Sequence, residues 1–280
     1  MSNRFERSWE LVKASASVLR QDKELLLFPL ISSAALLLVA LCFLLPAVGL
    51  GALDGLERDE LSFGHYLVAF LFYFSQYFVI FFFNAGLVGA ALIRLDGGDP
   101  TFADGMRIAK SKLGVIAGYA AIAATVGMIL RAIQERVGFI GKLIVGLLGV
   151  GWSIATFLVV PVLVHRDVGP VEAVKESAAL LKETWGENVI GRAGLGVAFS
   201  LIFIGVVMFG LFIILVAFMT KSIFVIGLAF FVTAVAVGLT ALVQTALAGI
   251  YAAALYRYAT TGEPTDGFDP KMLKLAFGPK

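Results

Sequence analysis

Charged residues in this chain gather in short clusters, and between them run six uncharged stretches: 25–53, 61–93, 113–130, 143–165, 193–220 and 222–256. A helix that crosses a bilayer needs about 20 mostly apolar residues, with a range of roughly 17–25. All six reach that length, and 113–130 is the shortest. A membrane strand would need only about 9–11 residues, alternating apolar and polar. The run FLFYFSQYFVIFFF at 70–83 does not alternate. The pattern therefore predicts an all-α, polytopic membrane protein with six transmembrane helices in three hairpins. The first stretch is longer than the roughly 7–15 apolar residues of a secretory signal, and acids are mixed with the bases before it. It is expected to stay as a membrane helix. Pro46 and Pro161 lie inside the first and fourth spans and are expected to kink them.

A second pattern precedes each odd-numbered span. Phe5, Trp9, Val12, Ala16 and Leu19 are spaced alternately by four and three residues. Phe102, Met106, Ala109 and Leu113 keep the same spacing, as do Val171, Val174, Ala178, Leu181 and Trp185. That spacing lays one apolar stripe along a helix, while Glu6, Glu10, Lys13, Glu172 and Glu176 take other faces. Each hairpin is thus expected to be preceded by a cytoplasmic amphipathic helix, lying in the membrane interface or packed on the end of the bundle.

The even-numbered spans share an ending. AGLVGAALIR at 85–94 and AGIYAAALYR at 248–257 agree at six of ten positions, and GDPT (98–101) and GEPT (262–265) follow them. The fourth span ends more loosely in the same way, with Arg166 and then Gly169-Pro170. One membrane domain over 1–280 is expected, with pseudo-repeats at about 1–94, 99–166 and 169–257 and a cytoplasmic tail at 258–280, amphipathic from 265. Asp99 is expected to cap the helix after it, with Pro100 at the first helical position; Pro170 and Pro264 would serve alike. A divalent-cation site at Asp96, Asp99 and Asp104 is the weaker reading, because their spacing does not fit a calcium loop.

Composition narrows the class further. Sixty per cent of residues are hydrophobic and 15% charged, against about 45–50% and 25% in soluble domains. A soluble globular domain, a disordered chain and a nucleic-acid binder are excluded. The single cysteine, Cys42, excludes an internal disulfide and a cysteine-held cluster. The net charge of +2 says little, but its distribution says more: 17 of the 22 Lys and Arg residues fall on one side of the predicted topology. The positive-inside rule then puts both termini in the cytoplasm.

Segments such as ERSWELVKASASVLRQDKELLLFPL (6–30) and GPVEAVKESAALLKETWGENVIG (169–191) resemble a family of uncharacterised bacterial six-helix membrane proteins. More distantly, the pattern is similar to the membrane domain fused to some glycerophosphodiester phosphodiesterases. The resemblance covers nearly the whole chain. It implies the fold and a bacterial inner-membrane location, and it carries no catalytic residues and no established activity.

Ionisable side chains inside a membrane mark proton relays and ion coupling, and none of the six cores holds Asp, Glu, Lys or Arg. His65 and His165 fall at opposite ends of predicted spans, about 30 Å apart across the hydrocarbon. No metal, cofactor or catalytic constellation is expected, and the chain is read as not an enzyme. Uncharged polar residues remain in the cores. Gln76, Asn84 and Gln244 are candidates for a polar seam between helices or a narrow conduit, beside the small-residue pairs Gly86/Ala90 and Gly249/Ala253. Arg94, Arg166 and Arg257 each end an even-numbered span and are candidates for anionic-lipid headgroup sites; simple anchoring at the interface is the competing account. The expected function is that of a non-enzymatic inner-membrane protein that interacts with lipid or scaffolds a partner. The alternative is a passive channel or uncoupled transporter for a small or lipid-like solute. Expected partners are membrane lipids and no nucleic acid, with a homo-oligomer or a membrane-protein partner left open.

Overall fold

The computed structural model describes residues 4–49, 63–185 and 194–262. Among them every regular element is a helix, and six segments are long and apolar enough to cross a membrane. The all-α, polytopic architecture read from the sequence is the one observed. The expected amphipathic tail at 265–280 and the turn proline Pro264 lie outside the described residues.

Three helices lead hairpins: α1 (Arg4–Gln21), α4 (Phe102–Ser111) and α8 (Pro170–Trp185). A 3-10 turn, Lys23–Leu26, joins α1 to the first span, α2 (Leu27–Gly49). The second span is α3 (Phe63–Leu95) and the third α5 (Leu113–Arg136). The fourth is split into α6 (Phe139–Ala155) and α7 (Val159–His165). The fifth and sixth are α9 (Gly194–Met219) and α10 (Ile223–Thr261). Packing pairs α2 with α3, α5 with α6 and α9 with α10, which makes the three hairpins.

The core sits at one end. Residues 85–92 of α3, 159–163 of α7 and 249–256 of α10 are buried without a break, and these three helices touch one another. A helix apolar on every face is stable only where every face is covered. Here α4 covers α3, α8 covers α7, and α1 packs on α9 and α10. We call this the basic end, because Arg94, Arg166 and Arg257 lie there. At 33 and 39 residues, α3 and α10 are about 50 and 58 Å long, so they outrun a hydrocarbon core of about 30 Å.

Two local expectations change. Pro46 lies inside α2, which continues through it to Gly49. In the fourth span the disturbance falls upstream of Pro161. Proline lacks the N–H that would bond the carbonyl four residues back, and its ring crowds that carbonyl, which belongs to Phe157. The helix opens at 156–158, and Phe157 and Val159 bond only three residues back, to Ile154 and Thr156.

Candidate functional site

The ends of α3 and α10 are set by glycine. Gly97, at φ +84°, lets its N–H bond the Arg94 carbonyl while the Gly98 N–H bonds Ile93, both at 2.9 Å. This is the paired-bond helix stop that needs a left-handed residue. Gly262, at φ +68°, ends α10 with a single bond to Tyr258. The α3 stop aims Asp96 and Asp99 back at the arginines.

Each of the three candidate arginines meets a carboxylate of its own chain. Arg94 is held through two nitrogens by Asp22, one contact at 2.7 Å, and also bonds Asp99. Asp22 stands between α1 and the 3-10 turn, with its side chain only 9% exposed. Arg257 bonds Asp96 at 2.9 Å and donates to the Leu95 carbonyl. Arg166 pairs with Glu176 of α8, which holds the guanidinium even more firmly protonated. Lys112, just before α5, reaches the Arg166 carbonyl at 3.0 Å and Asp167 at 2.5 Å. The structure thus brings Arg94 and Arg257 side by side at the end of α3 and puts Arg166 on the α7–α8 side. A guanidinium already matched by a carboxylate has less charge to offer a phosphate.

The expected Asp99 cap is replaced. Thr101 caps α4 and accepts from the Asp104 N–H at 3.2 Å, while Asp104 accepts from the Thr101 N–H at 3.0 Å. This reciprocal box satisfies two orphan donors at the helix start. Glu24 takes the next one, the Phe102 N–H, at 2.8 Å, which ties α4 back to the 3-10 turn. Pro170 does open α8, as expected.

Of the polar trio, Asn84 lies on the α3–α10 seam: its Oδ1 is 3.3 Å from where a Cβ on Gly249 would stand. Gln76 is half-buried two turns away, about 12 Å along α3. Gln244 is half-buried on α10, before Gly249. The small-residue segments bring backbones close: a Cβ at Gly105 would stand 2.5 Å from the Gly86 carbonyl oxygen and 2.4 Å from Phe28.

The break in the fourth span is sealed by a residue that sequence reasoning missed. Ser177 of α8 is fully buried; it accepts from the Leu158 N–H at 3.0 Å and donates to the Ala155 carbonyl at 2.7 Å. One hydroxyl thereby satisfies a donor and an acceptor left open where the helix breaks. A signal was present, because Val12-Lys13-Ala14-Ser15 recurs as Val174-Lys175-Glu176-Ser177. Ser15 is also fully buried, but its hydroxyl has no partner among the described residues; α1 packs on α9 and α10, which are unbroken. Further out, Arg131 bonds the Tyr73 hydroxyl, Tyr77 lies over Gly127, and the buried Tyr119 packs on Phe81.

Two open grooves mark the surface. One, of about 510 Å³, runs along α4 past Phe102, Ala103, Met106, Arg107 and Lys110. The other, of about 460 Å³, lies between α9 and α10 and is apolar apart from Thr233. Among the described residues no three His, Cys, Asp or Glu side chains gather as metal ligands would. No curated protein matches the chain. A family model does, over residues 63–267, from the start of α3 through all of α10, and by that match the chain belongs to a family of unknown function, DUF6159.

Proposed function

We propose that this protein is a non-enzymatic, multi-pass protein of a bacterial inner membrane that acts through contact with lipid. The observation that carries the reading is the filled centre of the basic end. Apart from Tyr251 and Tyr256, the buried runs of α3, α7 and α10 leave small and branched apolar side chains where a conduit would need polar lining. The orientation rests on the Lys and Arg distribution and puts both termini and the basic end in the cytoplasm. The bacterial origin and the distant likeness to phosphodiesterase membrane domains rest on sequence resemblance. The three hairpins with their leading helices are read as repeats of one unit, on the shared endings of α3 and α10 and on the Val-Lys-x-Ser recurrence.

The test is reconstitution of a Cys42→Ser background into vesicles. Single cysteines at Thr101 and Glu172 should react with an impermeant thiol reagent from the cytoplasmic side, and one at Glu135 from the opposite side. The same vesicles should hold a gradient of small solutes as well as protein-free ones do. Labelling of position 101 on the Glu135 side would defeat the orientation, and solute leak would defeat the sealed centre. A passive conduit is the second reading, and the opening of the fourth span at 156–158 favours it. Non-helical backbone at membrane depth occurs where protein buries it or where it lines a path. On that reading Ser177→Val would raise leak.

A further inference from the structure

The geometry points to the outward face of α4 as a binding site for one anionic phospholipid, with Arg107 and Lys110 on the phosphate. The inference rests on the lipid-contact reading and gives it a place other than the three span-ending arginines. Those arginines already have carboxylate partners. On α4, Arg107 shares one nitrogen with Asp104 at 2.5 Å, and its side chain is 77% exposed. No carboxylate among the described residues pairs with Lys110, one turn further on. Residues three apart on a helix are neighbours on one face, so the two cations stand together above Phe102, Ala103 and Met106.

The groove has the size and the polarity of an amphiphile site. Its roughly 510 Å³ falls within the usual range of ligand clefts, about 300–1,000 Å³. Its floor is apolar and its rim cationic, the complement of an acyl-glycerol body under a phosphate. Depth decides for a lipid over a soluble anion. One residue, Lys112, separates α4 from the span α5, so the groove stands where headgroups stand. The face is also held rigid. The opposite side of α4 is buried through Gly105 and Ala109 against α3, and its start is fixed by the Thr101–Asp104 box and by Glu24. A pre-set site loses less on binding than a mobile one.

The experiment is native mass spectrometry of full-length protein released from nanodiscs with equal phosphatidylglycerol and phosphatidylcholine. Wild type should retain phosphatidylglycerol preferentially. Arg107→Gln/Lys110→Gln should lower that retention roughly tenfold, since each cation at an anionic surface contributes appreciably. Lys175→Gln, an exposed cation of α8, should leave it unchanged. Inorganic phosphate added before release should not displace the lipid. If the double variant retains phosphatidylglycerol as wild type does, the α4 site is wrong while the lipid reading stands. If wild type shows no preference, both fail. If phosphate alone displaces the lipid, the site takes a free anion and the lipid assignment is overturned. Both substituted side chains are exposed, so a circular-dichroism melt matching wild type is expected and shows that a lost lipid is not a lost fold.

Discussion

The basic end and the outer half of the α9–α10 hairpin contain the same kinds of residue and pack in opposite ways. At the basic end, glycines are points of collision: a Cβ on Gly86, Gly105 or Gly249 would come within 2.6 Å of a neighbour. On α9 and α10, Gly205, Gly227 and Gly238 have nothing within 4 Å of that position. Large apolar side chains divide in the same way. Leu87, Ile250 and Leu255 are buried, whereas Met219, Ile223 and Phe231 are among the most exposed. In lipid, helices gain little from hiding apolar surface from one another; close backbone approach and polar bonds drive association. The basic end has both. The outer hairpin has one such point among the described residues, where Gly210 meets Thr233 and its carbonyl accepts the Thr233 hydroxyl; elsewhere it presents a face that acyl chains suit. Glycine in this chain therefore has two meanings, and only the neighbours distinguish them.

The sharpest way to break the comparison is to fill a tight glycine. Gly105→Val would push a side chain into Phe28 and the Gly86 carbonyl, neither of which can move without shifting a helix. Overpacking costs about 1–3 kcal/mol where some relief exists; with backbone on one side, the expectation is loss of the folded protein from detergent extracts. Gly227→Ala and Gly238→Ala should stay within about 0.5 kcal/mol of wild type. Thermal melts of the three variants in nanodiscs check this. A melt of Gly105→Val equal to that of Gly238→Ala would erase the distinction between the two regions.

Ion pairs offer a smaller contrast. Asp22 and Arg94 are largely shielded, while Arg131 and Glu135, at the far end of α5, are each about two-thirds exposed. Removing one member of a buried pair costs roughly 3 kcal/mol or more where the other charge is left unmatched; Arg94 keeps the exposed Asp99, so the loss of Asp22 costs less than that. An exposed pair four residues apart contributes only about 0.3–0.5 kcal/mol. Asp22→Asn should therefore lower the midpoint of denaturant unfolding clearly, and Glu135→Gln hardly at all. Equal shifts would mean that the basic end is not held by its charges.

Next comes the seal of the fourth span. Ser177→Ala deletes both bonds of the hydroxyl and leaves the Leu158 N–H buried with no acceptor. A buried polar group left alone costs about 1–3 kcal/mol. Hydrogen exchange at Leu158 should accelerate, while amides in the middle of α10 keep wild-type protection. Uniform acceleration would place the effect on the whole bundle instead of the break.

These cases show where the sequence was legible. The six spans were, because about 20 apolar residues have one stable solution in a bilayer. The leading helices were legible too, since a stripe at three- and four-residue spacing has no other use. The split of span four was half legible: Pro161 marked it, but the opening falls upstream, at the carbonyl that proline leaves unbonded. The arginines were found while their partners were not, because Asp22 is 72 residues from Arg94 and no local rule links them. Asp99 misled, since the same residue type caps helices and pairs with guanidinium groups. Thr101, two positions on, has the hydroxyl that Asp104 completes. The Gln76–Asn84–Gln244 grouping was drawn from polarity alone. Depth along α3 separates Gln76 from Asn84, and Asn84 lies against Gly249 of α10, the helix that carries Gln244.

The smallest expected effect is a dependence on pH at the start of α4. The hydroxyl of Thr101 first, then its backbone N–H, and lastly Arg107 hold the Asp104 carboxyl below its ordinary value of 3.8. A carboxyl lowered in the fold binds fewer protons there than in the unfolded chain, so stability rises with pH across the interval between the two values. The contribution is complete above the ordinary value and is lost as pH falls through the lowered one. Asp167, lowered by Lys112 just past the other end of α4, has the same sign. Acidification from pH 5 to pH 3 should therefore loosen α4 from its first turn. The protection of the Asp104 and Gly105 amides, corrected for intrinsic exchange, should fall in wild type. In Asp104→Asn it should be low already at pH 5 and change less with acid. Position 238 in α10, far from any carboxylate of the basic end, should be indifferent to pH in both proteins. If Asp104→Asn loses protection with acid as steeply as wild type, the carboxylate of the cap is not the group that holds the first turn.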